Sequence, residues 1–65
     1  MLIKLFERPD GQLDYKVETG ETGYISADGD TRERLFDQYK ITEYEIRYNH
    51  GAVGTGRRKL PIHLR

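Results

Sequence analysis

Between residues 13 and 18 apolar and polar side chains alternate strictly, Leu13, Tyr15 and Val17 against Asp14, Lys16 and Glu18. A period of two is the mark of a strand with one buried face. The alternation returns over residues 41–48, where Tyr44, Ile46 and Tyr48 oppose Glu43, Glu45 and Arg47. It returns again over residues 58–64, where Leu60, Ile62 and Leu64 oppose Lys59, Pro61 and His63. A helix over 41–48 would scatter its apolar groups round the cylinder, so a strand is expected there. Residues 2–7 are apolar on both parities, which predicts a strand covered on both faces. Only residues 31–40 change period: Leu35, Phe36 and Tyr39 form one helical stripe, with Arg32, Glu33, Asp37 and Gln38 facing outward.

Turn residues divide these segments. Arg8-Pro9-Asp10-Gly11-Gln12 carries a proline to preset φ and an Asp-Gly to reverse the chain, so the first two strands form a hairpin. Gly20-Glu21-Thr22-Gly23 ends the second strand. Tyr24-Ile25-Ser26 reads as a short extended piece or as a loop at the core edge. Asp28-Gly29-Asp30 leads into the helix, with Asp30 as the expected N-cap and Glu33 three residues on, as in a capping box. The three glycines of residues 49–56 predict a flexible loop before the last strand.

Two hairpins around one helix give strand–strand–helix–strand–strand. The expected fold is α+β: a single small domain over residues 1–65 with a four-stranded, mainly antiparallel sheet and the helix packed on one face. One arrangement of this order resembles the β-grasp, in which the first and last strands pair in parallel at the centre. Pro61 opposes that placement of the last strand, because proline removes a ladder donor. The resemblance is one of element order alone. With no C-terminal Gly-Gly, it implies no conjugation role.

Length limits what such a chain can stabilise. Sixty-five residues bury only roughly 60% of the unfolded surface, and their core supplies no more than about 3–5 kcal/mol net. Cysteine is absent and there are two histidines, so neither a disulfide nor a thiolate metal site is expected. The staples that remain are unusually good local order or oligomerisation, such as a homodimer. No run approaches the about eighteen apolar residues of a membrane span, and the N-terminal apolar run is too short for a signal core. A cytoplasmic, membrane-free protein is expected.

The formal charge is zero, but it is not evenly spread. Residues 1–30 hold three basic against seven acidic residues, net −4, and residues 31–65 hold eight against four, net +4. From His50 onward no acidic residue occurs. The balance differs from the net positive charge of a general nucleic-acid binder, yet a basic C-terminal ribbon of Arg57, Arg58, Lys59 and Arg65 is a candidate phosphate-contacting surface. If the last two strands pair, Glu43 and Glu45 share an outer face with Lys59, His63 and Arg65 and neutralise much of it. Arg57 and Arg58 are then the free cations.

Catalytic chemistry finds little to work with. Ser26 is the only serine and has no histidine at a motif spacing. Asp28 and Asp30 read as a turn rather than a calcium loop. The glycine segment 51–56 can present backbone N–H groups to an anion, but no Gly-Lys-Ser/Thr and no helix follow it, so it is not a P-loop. Tyr15, Tyr39, Tyr44 and Tyr48 are expected to line the core, leaving Tyr24 as the exposed aromatic.

These observations predict a non-enzymatic binding, adaptor or regulatory module. It acts by contact with another protein or with a second copy of itself, and needs no cofactor, metal or small-molecule substrate. The expected contact residues are Tyr24, Gly54, Gly56, Arg57 and Arg58. The alternative is a nucleic-acid-binding regulator using Arg57, Arg58, Lys59 and Arg65.

Overall fold

The computed structural model describes residues 1–58. Six elements follow in order: β1 (Leu2–Glu7), β2 (Leu13–Val17), β3 (Thr22–Ile25), α1 (Gly29–Gln38), β4 (Glu43–Arg47) and β5 (Val53–Arg57). The strands form one sheet in the order β3-β2-β1-β4-β5. The fold is therefore α+β as expected, but with five strands among the described residues where four are expected for the whole chain.

The sheet is mixed. β1 pairs antiparallel with β2 and parallel with β4, while β3 and β5 close the two edges in antiparallel register. The parallel partner of β1 is the strand that directly follows the helix, not the last described strand, so the β-grasp arrangement is corrected. A doubly apolar β1 at the sheet centre agrees with its sequence.

Each hairpin closes through its own polar groups. In the first, the Arg8 N–H donates to the Gln12 carbonyl at 2.8 Å and Asp10 Oδ1 accepts from the Gln12 N–H at 3.0 Å. In the second, the Val17 N–H reaches the Glu21 carbonyl at 2.8 Å, which fixes Thr22–Ile25 as a strand rather than a loop. In the third, the Tyr48 N–H donates to the Ala52 carbonyl at 2.8 Å. That turn ends four residues earlier than the glycines suggested, so the second half of the expected loop over 49–56 is strand β5. Of the expected last strand over 58–64, Arg58 alone is described; Lys59, Pro61, His63 and Arg65 lie outside the described residues.

The helix begins at Gly29, two residues before the expected start, and its N-cap is Asp28 rather than Asp30. Asp28 is extended (φ −71, ψ 152). Its Oδ1 accepts the Thr31 N–H at 2.8 Å and its Oδ2 accepts the Thr31 hydroxyl at 2.9 Å. At the other end Lys40 takes φ +52. The Ile41 N–H reaches the Phe36 carbonyl at 2.8 Å and the Lys40 N–H the Asp37 carbonyl at 3.3 Å. These are the two bonds of a Schellman ending, with Lys40 in the position that glycine usually fills. The motif returns Ile41, fully buried, to the core beside Phe36.

One face of the sheet carries the core. Ile3 and Leu5 of β1, Leu13 and Val17 of β2, Ile46 of β4 and the helical Leu35 and Phe36 form a single buried cluster with Ile41. Tyr15, Ile25, Tyr39 and Tyr44 pack around it. Tyr48 departs from expectation: it is exposed and stacks on His50 at 5.5 Å between ring centroids.

The helix ends give two tests of this account. Left-handed backbone costs a non-glycine residue roughly 1–2 kcal/mol, of which glycine's greater unfolded freedom returns part, so Lys40→Gly should stabilise the fold by about 0.5–1 kcal/mol in urea denaturation. The Thr31 backbone N–H, then its hydroxyl and Ser26, hold the Asp28 carboxyl below its ordinary value of 3.8. A depressed folded value means that its contribution is present above the unfolded value and is lost as pH falls through the folded one. The stability difference between the native chain and Asp28→Leu should therefore shrink as pH is lowered below 3.8, as measured by denaturation at successive pH values.

Candidate functional site

Alternation along the five strands leaves a second face that α1 does not cover. The registers resolve it into rows. The first runs Tyr24, Asp14, Phe6, Arg47, Val53 from β3 to β5. The second runs Thr22, Lys16, Lys4, Glu45, Thr55, and a third joins Leu2, Glu43 and Arg57. Tyr24 is 65% exposed, Val53 57%, Phe6 37% and Leu2 36%. Four large apolar side chains thus stand open to solvent on one side of one sheet.

The charges among them are largely paired. Arg8 Nε lies 3.6 Å from Asp14 Oδ2, and its guanidinium stands 5.4 Å from the centre of the Tyr24 ring. Arg47 Nε meets Glu45 Oε2 at 3.1 Å. Arg57 stands opposite Glu43 across the β4–β5 ladder. Lys4 has Lys16 on one side and Glu45 on the other. A shallow depression of about 340 Å³ lies between Leu2, Glu43 and Arg57.

The expected contact residues divide between the two faces. Tyr24 and Arg57 are on the open face but on opposite edge strands, which lie four strand spacings or about 19 Å apart, and in different rows. Gly54 and Gly56 point to the helix side, where tyrosines cover them. A Cβ on Gly56 would stand 2.5 Å from the Tyr44 ring, and one on Gly54 would stand 3.3 Å from Ile46 Cγ2 and 3.5 Å from the Tyr48 ring. These glycines are where aromatic rings lie on an edge strand, not an open anion-binding nest.

Arg58 also belongs to the helix side, and the expectation that it is a free cation is corrected. Its Nη2 donates to Asp37 Oδ1 at 2.7 Å and to Glu33 Oε1 at 3.2 Å, and its Nη1 to the Ile41 carbonyl at 3.2 Å. The guanidinium lies 5.6 Å from the centre of the Phe36 ring. Hydrogen bonding to Asp37 is the largest influence raising its pKa above the ordinary value. The side chain is only 16% exposed and links the end of β5 to the helix. The compensation expected of Lys59, His63 and Arg65 against Glu43 and Glu45 lies outside the described residues. Within them Arg57 faces Glu43 and Thr55 faces Glu45.

Sequence reasoning missed Phe6 and Leu2 as surface residues. Their signal is the double apolarity of residues 2–7, a pattern that predicts two covered faces. Among the described residues no group of three or more His, Asp or Glu side chains is placed to hold a metal ion. No helix among them is long and apolar enough to cross a membrane.

Arg58→Ala should destabilise the fold by about 1–2 kcal/mol, since three hydrogen bonds and the stem's packing on Phe36 are lost, while both carboxylate partners are well solvated. Arg58→Lys should recover less than half of that loss, because an ammonium does not reproduce the guanidinium fork. Chemical denaturation measures both.

Comparison of the chain with protein-family models, curated proteins and solved structures finds no match.

Proposed function

We propose that this protein is a non-enzymatic binding module that acts by contact with another protein, through the open face of its sheet. The observation that carries the reading is the gathering of Tyr24, Phe6, Leu2 and Val53, all exposed, on one face. Exposed aromatic and aliphatic groups among polar ones are the composition of a protein-contact surface. Tyr24 and Phe6 supply the large side chains that carry most of the energy in such contacts.

The charge arrangement favours a protein over a polyanion. Arg8, Arg47 and Arg57 each stand beside or opposite a carboxylate on the same face. Phosphate recognition draws on cations that are not already neutralised. Arg58, offered by the sequence for that role, is held by Asp37 and Glu33. The nucleic-acid reading therefore rests on Arg57 within the described residues and is the weaker one.

Cytoplasmic location and a regulatory or adaptor role fit a small binding module of this kind.

Affinity capture from the source lysate, with and without nuclease, tests the proposal. The native chain should retain protein partners after nuclease treatment. The Phe6→Lys, Tyr24→Ser double variant, folded by circular dichroism, should lose them by at least about tenfold. Retention that disappears with nuclease would point to nucleic acid, and capture unchanged by the double variant would show that the open face is not the contact surface.

A further inference from the structure

The open face has a property that its separate residues do not reveal. β1 is the middle strand of five, and the rows on either side of it are opposite in charge. In the first row Asp14 lies one strand to one side of Phe6, and Arg47 lies one strand to the other. In the second, Lys16 and Glu45 flank Lys4 in the same way. Further out, Tyr24 is matched by Val53 and Thr22 by Thr55. In these two rows the pattern is antisymmetric in charge and symmetric in polarity about β1, whereas in the third Glu18 and Glu43 flank Leu2 with the same sign.

We propose that this face binds a second copy of the chain, sheet against sheet, about a two-fold axis running along β1. The inference rests on the reading of the open face as a protein-contact surface and names its occupant. Such an axis exchanges the two sides of the sheet and keeps the rows. Asp14, beside its own Arg8, then meets the second copy's Arg47, itself beside Glu45, and Lys16 meets the second copy's Glu45, each pair occurring twice. Phe6 meets Phe6 and Leu2 meets Leu2 on the axis, Tyr24 covers Val53, and Thr22 meets Thr55. An interface of this kind is self-complementary, as two-fold symmetry requires.

The competing two-fold, across the strands, fails on the same charges. It sets Lys16 against Lys16 and Glu45 against Glu45 and brings Asp14 toward Glu18, while only Arg47 toward Glu43 gains an opposite charge. Along β1 the like-charge meetings are fewer. Lys4 meets Lys4 on the axis, with Glu45 beside it in its own chain. Glu18 approaches Glu43, but the Glu18 carboxylate is held by the Leu2 N–H at 2.9 Å and Glu43 has Arg57 opposite.

Sheet geometry tolerates the pairing. Packed sheets cross at about 30°, which moves side chains one strand from the axis by about 3 Å, less than one residue along the strand. The inner charge pairs therefore keep their partners. A face of about 19 Å by 17 Å, about 320 Å² per copy, is smaller than the about 600 Å² per partner of a stable interface, so the dimer should be weak and dissociate on dilution.

Sedimentation velocity on the full chain from about 1 µM to about 1 mM tests the proposal. The native protein should pass from monomer to dimer across that range. Chains carrying Asp14→Arg or Arg47→Asp alone each bring like charges together twice, and each should dimerise at least about tenfold more weakly. Mixed in equal amounts, these two variants should form a heterodimer with about the native affinity, because both contacts between positions 14 and 47 are then between opposite charges. If either variant loses its circular dichroism signature, Lys16→Glu and Glu45→Lys provide the same cycle on the second row.

A native chain that stays monomeric throughout overturns the inference. So does a dimer indifferent to the single charge reversals, or a mixture of folded variants that does not recover association. The broader reading is judged separately. Loss of lysate partners in the Phe6→Lys, Tyr24→Ser variant with a monomeric native chain removes the second copy as occupant and leaves the contact surface standing. Unchanged capture together with a monomeric native chain removes both.

Discussion

An α-helix with its side chains is about 10–12 Å across, whereas five hydrogen-bonded strands span about 19 Å. A single helix of ten residues therefore covers the middle of this sheet and leaves both margins bare. Leu35 and Phe36 join Ile3, Leu5 and Ile46 in one buried cluster. The margins are closed by tyrosines. Tyr15 of β2 lies over Gly23 of β3, and Tyr44 of β4 lies over Gly56 of β5. Two edge glycines thus make room for two rings reaching outward from the neighbouring strands.

That arrangement explains why such glycine-rich edges are strands at all. Val-Gly-Thr-Gly-Arg has little intrinsic preference for a strand. A tyrosine laid across the glycine replaces the side-chain packing that the edge lacks. The rings in turn meet the helix: Phe36 stacks on Tyr44 at 5.4 Å and Tyr39 leans on Tyr15 at 6.4 Å between centroids. Arg58 completes the margin beside β5 by bridging Glu33 and Asp37 over Phe36. Helix, tyrosines and arginine together close one face of the sheet.

The same distribution exposes the other face. A chain with one helix can cover one side, and among the described residues nothing lies across Leu2, Lys4 and Phe6. The apolar residues there sit among charges that are mostly neutralised within the sheet. Structure and surface are linked in this way. The residues that close the core face, including Gly54, Gly56 and Arg58, are withdrawn from contact with a partner, and Tyr24 and Arg57 remain on the side where contact is open.

The sequence by itself determined the strands β1, β2 and β4, the hairpin at Asp10-Gly11 and the helix, because each carries its own periodicity or turn chemistry. It also marked Tyr24 as exposed, since that residue has no periodic partner. It misplaced the helix N-cap by two residues because Asp28 and Asp30 are equally suited by type, and only the backbone around Thr31 chooses between them. Tertiary structure alone decided three things: that the second pair of glycines is a strand, that β1 lies beside β4, and that Arg58 is occupied. Each depends on groups far apart in sequence: Tyr44 over Gly56, the ladder from Leu2 to Glu43, and Arg58 against Asp37. Local pattern records which face a residue prefers, but not which distant side chain will cover it. For that reason the open face, whose residues come from all five strands, became visible only once the strands were side by side.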